Sequence, residues 1–395
     1  MSSRLSYVWL ATRRGVSAGA AAGLLRAFGS PEAVFAADRA ALTTARECPL
    51  RKVQVDALCD KSTDEAEHIV AQCAKDGIQI ITLGDSAYPD RLRAIENPPV
   101  VLYVRGKWPD FDVTPGIAVV GTREATPYGL QTAEHIGSAL GKAGFITVSG
   151  MALGNDGAAH RGALRAGGLT VAVLAGGVDV CYPPQHRSLM GDILLSGAIV
   201  SEYPPGTEPR GEHYHARNRI ISGLSVAAVI VEAPGYRSGA LITARAALDQ
   251  GRDVYAVPGA LDAPQSAACN ELIEKGEAAL LRSPEALVRT YSGLLHTQTG
   301  PYRPSRSVRT PKKTPAVRQT PQKRDPSASP PSGTLPDSLS GDERRIAELV
   351  QQGVGTPEDL IEHCGLPAPR VMSLITMLEM DGILRREKGR LVMGC

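Results

Sequence analysis

Four short segments carry residue types that could hold or transform a charged ligand. The first is Gly121-Thr122-Arg123, directly after an apolar run. A glycine that lets the backbone approach closely, a hydroxyl and a planar cation suit a phosphate group. An exposed ion pair is the plainer alternative for Arg123. The second is Ser149-Gly150, followed by Asp156 and His160. Four residues apart, the last two share a helix face. They could be an acid/base pair, two metal ligands, or a hydrogen-bonded pair that pins the helix to a sheet. No further carboxylate or His pair is spaced to complete a metal site, which favours the pin. The third is Tyr214-His215-Ala216-Arg217-Asn218-Arg219, preceded by Ser201-Glu202. Its two arginines either line a phosphate groove or neutralise a buried acid such as Glu202 or Glu232. The fourth is Ser238-Gly239, opening a segment that contains Thr243. Free amides and the helix dipole would favour an anion there, unless Ser238 is only an N-cap.

Some chemistries lack their signatures. No GxGxxG follows the strand before Gly121, and no Walker A motif occurs, against nicotinamide, flavin or ATP bound in the usual ways. No Ser sits in a GxSxG elbow, and Cys269 has no evident base, so nucleophilic catalysis has no support. We therefore expect no catalytic residues, no metal and no cofactor.

The elements that must position these segments follow from periodicity. Apolar runs at 117–120, 145–148, 170–174, 198–201, 227–231 and 254–257 alternate with helical segments near 128–143, 155–166, 217–223 and 238–250. Uninterrupted apolar strands between helices imply a doubly wound α/β domain, a parallel sheet covered on both faces. Ligands of such a sheet bind outside the carboxyl ends of its strands, where all four segments fall. We place this domain at 76–291, beginning with the β-rich runs 78–82 and 100–104. Residues 1–75 read as a helical module with a hairpin at Gly15-Val16-Ser17. Residues 292–338 are rich in Pro, Ser, Thr and basic side chains, a composition that does not bury enough surface to fold and so reads as a disordered linker. Residues 339–395 read as three helices and a basic hairpin, a winged helix. Its third helix spans Pro367–Asp381, with Val371, Leu374, Ile375 and Leu378 as the apolar stripe and Arg370, Ser373 and Thr376 as the only polar readers.

Composition at first argues against a nucleic-acid ligand. In 395 residues, 43 Lys+Arg meet 41 Asp+Glu for a net +2, and aromatics are 4%. The charge is uneven, however. Residues 300–336 hold eight Lys/Arg and one acid, a local +7 that leaves −5 elsewhere. Any basic site on the folded part is a small patch. Seven scattered cysteines without CxxC spacing do not suggest a disulfide framework or zinc site. No apolar run is long enough for a membrane span. Arg13-Arg14 before an Ala/Gly-rich stretch faintly resembles a twin-arginine signal, but the helical spacing of Ala21, Leu24, Leu25 and Phe28 reads as packing. The expected location is the cytoplasm.

Taken in order, the segments resemble the DNA-processing protein A (DprA/Smf) family. The resemblance is carried by Tyr88-Pro89 with Pro98–Tyr103, Gly121-Thr122-Arg123, Ser149-Gly150-Met151-Ala152 and Asp156–Leu164. It continues through Gly176–Pro183, Ser201–Gly206, Arg217–Ser222, Ser238–Ala244, Val257-Pro258-Gly259 and Cys269–Ile273. It implies a helical SAM or helix-hairpin-helix-like module, an extended Rossmann-like domain and a winged helix. It also implies single-stranded DNA binding, a homodimer through the Rossmann domain, and loading of the RecA recombinase during natural transformation, with no established catalysis. Arg123 would then contact DNA and Tyr214, where the family has Phe, would stack on a base. Gly121, Thr122, Ser149, Gly150, Arg217, Asn218, Arg219, Ser238, Gly239 and Thr243 would complete the DNA site. Leu153 and Asn155 replace the family's pattern after Ser-Gly, which removes an arginine, and Ala268 stands where Gly is usual.

Two other readings use the same residues. In a nucleotide phosphoribohydrolase-like enzyme, Glu202 or Glu232 would be the catalytic acid, although Ala175-Gly176-Gly177-Val178-Asp179 lacks that group's Gly-Thr. In a winged-helix transcription regulator, the Rossmann domain would sense a ligand.

Overall fold

Runs that are apolar at every position become strands buried on both faces. Ile117 and Val119 enter one core while Ala118 and Val120 enter the opposite one, as the two-residue period of a strand requires. The structure is a computed structural model. It describes residues 2–45, 48–235, 238–295, 341–364, 366, 371, 374, 375, 378, 383–387 and 390–393. The chain divides into two units, Met1–Arg303 and Pro304–Cys395.

The first unit begins with helices α1 (Ser3–Thr12), α2 (Ala18–Phe28), α3 (Pro31–Ala36), α4 (Arg39–Thr44), α5 (Lys52–Cys59) and α6 (Asp64–Lys75). Ser2, Ser17, Ser30 and Asp38 each cap a helix by accepting an amide hydrogen bond. There follow β1 (Gln79–Thr82), α7 (Asp90–Arg93), β2 (Val101–Gly106), β3 (Gly116–Val120), α8 (Pro127–Ala143), β4 (Ile146–Ser149), α9 (Asn155–Arg165), β5 (Thr170–Val173), α10 (Arg187–Ser196), β6 (Ala198–Ser201) and α11 (Gly211–Gly223). The unit ends with β7 (Ser225–Ile230), α12 (Gly239–Asp249), β8 (Asp253–Ala256), α13 (Ala267–Glu274), β9 (Ala279–Leu280) and α14 (Pro284–Tyr291).

The described strands of this unit form one sheet in the order β1-β2-β6-β5-β4-β3-β7-β8-β9. From β6 to β9 all pairs are parallel; β2 joins β6 antiparallel and β1 joins β2 antiparallel. The expected doubly wound parallel sheet is present, extended at one edge by the β-rich runs before it. Strand order reverses between β3 and β7, which are adjacent although α8 through α11 separate them in sequence. This switch point is where the first crossovers diverge and leave a crevice above the strand ends.

Several boundaries differ from the periodicity. Helix α11 starts at Gly211, six residues before the expected 217, because its first turns carry Glu212, His213 and His215 rather than a buried apolar stripe. Helix α10 was not evident: it follows Pro183-Pro184 closely, and only Leu189, Met190 and Ile193 are its buried residues. The N-terminal helices do not close a core by themselves. Leu10, Leu24 and Leu58 share one cluster with Tyr103, Ile193 and Ile199 of the sheet and α10. Arg13 lies buried in this module, its Nε donating to Trp9 O at 3.2 Å, and the Ala-rich stretch after it is α2. Among the described residues no helix is long and apolar enough to cross a membrane.

Asp156 and His160 have separate partners: Asp156 pins α9 to the loop after β4, and His160 pins it to β5. Asp156 accepts from Gly150 N at 3.0 Å. His160 Nδ1 lies 2.6 Å from Thr170 Oγ1, which itself donates to Thr147 O at 2.9 Å. Thr170 has spent its proton, so Nδ1 carries the hydrogen and donates, leaving Nε2 without a partner. Burial holds the imidazole neutral and lowers its pKa from 6.5 to about 3. A histidine depressed in the folded state contributes stability that is complete above pH 6.5 and lost as pH falls towards 3. The urea midpoint of the wild type should therefore fall over that range, and His160→Asn should flatten the profile. Parallel profiles for both proteins would contradict the assignment.

In the second unit, α15 (Gly341–Gln351) and α16 (Pro357–Cys364) precede an antiparallel hairpin of β10 (Leu384–Glu387) and β11 (Arg390–Met393). Val371, Leu374, Ile375 and Leu378 are helical and buried with Ile346, Leu360, Leu384 and Leu391, matching the expected stripe. Arg370, Ser373 and Thr376 lie outside the described residues. So does 296–340, most of the basic segment, after a 3-10 turn at Ser292–Leu294.

Candidate functional site

An open groove of about 910 Å³ lies at the β3/β7 switch point. Its walls come from the loop after β3, the first turns of α11, the loop after β7 and the start of α12. Gly121, Thr122, Arg123, Tyr214, Arg217, Asn218, Ser238, Gly239 and Thr243 all line it. A smaller hollow of about 70 Å³ adjoins it. Arg123, Gly150, Tyr214 and Arg217 line that hollow together with Tyr182.

The loop carrying Arg123 is held from the end of the neighbouring strand, β7. Thr122 N donates to Glu232 O at 2.8 Å. The buried Glu232 carboxylate accepts from Thr126 N at 3.0 Å and from Thr126 Oγ1 at 2.5 Å. Thr126 in turn caps α8 through Gly129 N. Gly129 is needed for this approach, because a Cβ there would lie 1.8 Å from Glu232 Oε2. Both ends of the loop are thus fixed, while Arg123 itself is exposed. Its guanidinium sits 4.8 Å from the Tyr214 ring centroid, and no carboxylate among the described residues pairs with it.

The neighbouring arginines have other duties. Arg217 is 5% exposed. It donates from Nη1 to Gly150 O at 2.8 Å and Val173 O at 2.5 Å, and from Nε to Asn218 Oδ1 at 3.1 Å. Gly150 leaves room for it: a Cβ there would stand 2.4 Å from Nη1. Burial pushes the Arg217 guanidinium down and the Asp156 carboxyl up, and the charge of each opposes the shift of the other. Arg217 is therefore a buried counter-charge with one edge at the groove, not a free cation. Arg219 leaves the groove altogether. Its Nη2 pairs with Glu202 Oε2 at 2.6 Å, and both line a separate hollow with α1 and α2 residues. Two residues apart on a helix, the arginines point to opposite sides, so only one can face the groove. Ser149 is also absent from the groove; its Oγ donates to Val119 O at 2.6 Å inside the sheet.

The far wall of the groove is the start of a helix. Helix α12 begins at Gly239 with no side-chain cap from Ser238; Leu241 N donates to Ser238 O at 3.1 Å, and the amides of Gly239 and Ala240 have no acceptor among the described residues and lie where these residues line the groove. Asn218 ties this wall to α11, donating from Nδ2 to Gly239 O at 3.1 Å. Tyr214 is half-buried, and its ring already carries Arg123, with Arg217 Cζ 5.7 Å from the centroid. Asp156 and His215 also line the groove. Asp156 arrives there because α9 starts beneath the loop after β3, and His215 because α11 begins early. Neither position was readable without those helix starts.

Residues 79–292 match the model of the family described as DNA recombination-mediator protein A, and 328–390 match a DprA winged helix domain. The chain is 43% identical over 212 residues to the protein Smf of Synechocystis, covering 53% of each chain, about half of that relative's length. It is 33% identical over 344 residues to a putative DNA processing protein DprA of Mycobacterium tuberculosis, covering 84% of this chain and 80% of that one. Among solved structures it resembles DNA processing protein A of Streptococcus pneumoniae, at TM-score 0.57 and 30% identity over 72% of this chain and 97% of the other. It also resembles DNA processing protein A of Helicobacter pylori, described for its single-stranded DNA binding mode, at TM-score 0.50 and 31% identity over 55% and 98% of the two chains. With this extent of likeness across the Rossmann-like sheet and the winged helix, the chain belongs to the DNA recombination-mediator protein A (DprA/Smf) family.

Proposed function

We propose that the switch-point groove binds single-stranded DNA. The observation that carries this reading is an exposed arginine, fixed on a clamped loop and with no carboxylate partner among the described residues, on the same groove as the start of α12, which Ser238 does not cap. Phosphates would sit between Arg123 and the α12 amides. A base would stack on Tyr214 as Arg123 turns from the ring to a phosphate. The single-stranded DNA binding mode of the Helicobacter pylori relative supports the same reading. In this proposal the protein protects incoming strands and loads the RecA recombinase during natural transformation. It acts in the cytoplasm as a homodimer through the Rossmann-like domain, without a catalytic step or cofactor. The carboxylates offered for a phosphoribohydrolase are otherwise engaged, Glu202 with Arg219 and Glu232 with Thr126.

The test is a salt series on single and double strands with the full chain. Single strands should bind more tightly, with a log–log slope near −0.7 for each phosphate neutralised. Equal affinity for both forms would refute the groove assignment.

A further inference from the structure

We infer that Tyr128 and Leu261 form a second base-stacking platform, one strand spacing beyond the groove. This rests on the groove being a single-stranded DNA site and extends it along the sheet edge.

The groove floor lies at the ends of β3 and β7. The next parallel strand is β8, roughly 4.8 Å further along. Its following loop carries Leu261, which is 99% exposed. Tyr128, in the first turn of α8, leans towards the same loop. Tyr128 is 50% exposed, and its Oη donates to Pro258 O at 3.0 Å. A single exposed apolar side chain is ordinary on a protein surface. Here, however, the chain is poor in aromatics, and the ring is fixed by its own hydroxyl to the loop that carries Leu261.

The platform is also tied rigidly to the groove. Asn270 clasps Gly259 through both its N–H and its carbonyl, each at 3.1 Å. Gln265 Nε2 donates to Glu124 O at 3.1 Å, and Glu124 lines the groove. Gln265 O accepts from Ala233 N at 2.7 Å, on the loop after β7. A strand held by its phosphates in the groove would pass its next base over this ledge. Aromatic stacking tolerates any base, and an apolar wedge on the loop that the ring is bonded to would separate that base from the next. No phosphate contact is involved, and this separates the platform from a role in positioning Arg123.

The experiment uses the full-length protein with a short oligothymidylate that the groove alone covers and a longer one. Tyr128→Ala should weaken the longer oligonucleotide roughly 5- to 100-fold, with little change for the short one and an unchanged salt slope. Tyr128→Phe, which keeps the ring, should stay within about threefold of wild type on the same scale. Tryptophan emission of Leu261→Trp should change at saturating single strand. The platform is overturned if Tyr128→Ala binds both lengths like wild type, if its affinity loss comes with a shallower salt slope, or if the Leu261→Trp signal ignores DNA. Should Tyr128→Ala fail to fold, the Leu261→Trp signal decides. If wild type shows no preference for single strands, the groove reading fails first, and that outcome is visible before any variant is compared.

Discussion

Arg217→Met is expected to lower the unfolding free energy by about 3–5 kcal/mol, the range for removing one member of a buried charged network. The side chain is buried at the centre of the sheet edge and donates three hydrogen bonds. Methionine fills much of the volume but leaves the Gly150 and Val173 carbonyls without this donor, and each buried unsatisfied group costs about 1–3 kcal/mol. Asp156, already raised by burial, also loses the charge that opposes that shift. Urea denaturation at neutral pH would read the loss as a lower midpoint at unchanged slope. Arg217→Lys should recover little of it, since one ammonium does not reproduce a planar fork across two carbonyls and an amide. A variant as stable as wild type would show that Arg217 is a surface ligand group after all.

Arg123→Ala is expected to weaken single-stranded DNA binding about 10- to 150-fold, the equivalent of roughly 1.5–3 kcal/mol for hydrogen bonds to a charged group. Stability should barely move, because the side chain is exposed and, among the described residues, gives up its stack on Tyr214. The loss should be similar for every sequence, and the salt slope should fall by about 0.7 per phosphate contact removed. Titrations of two unrelated oligonucleotides at several salt concentrations test both points. A loss confined to one sequence would assign Arg123 to base reading. These two arginines thus separate cleanly, one read by denaturant and the other by salt.

The opposite fates of Arg217 and Arg219 mark where sequence reading stops. As a tripeptide around Asn218 they look equivalent. Their roles depend on where α11 begins, and its first turns, polar and facing the groove, carry no apolar period to reveal it. Thr126 and Glu232 show the same limit at longer range. They are 106 residues apart, and nothing local to either says that the glutamate will clamp the Arg123 loop. Tyr128 and Leu261 likewise belong to separate segments that meet only because β8 lies beside β7.

By itself, the sequence determined the α/β alternation, the strand ends at which the polar segments fall and the apolar stripe of the third winged-helix segment. These are local properties, set by side-chain period and by composition. Only the tertiary structure decided which polar groups face the groove and which are consumed within the fold. Each buried charge must find its partner among groups delivered by other elements. Arg217 serves two carbonyls, Asn218 and Asp156, Arg219 serves Glu202, and of these three arginines only Arg123 has no carboxylate or carbonyl partner among the described residues.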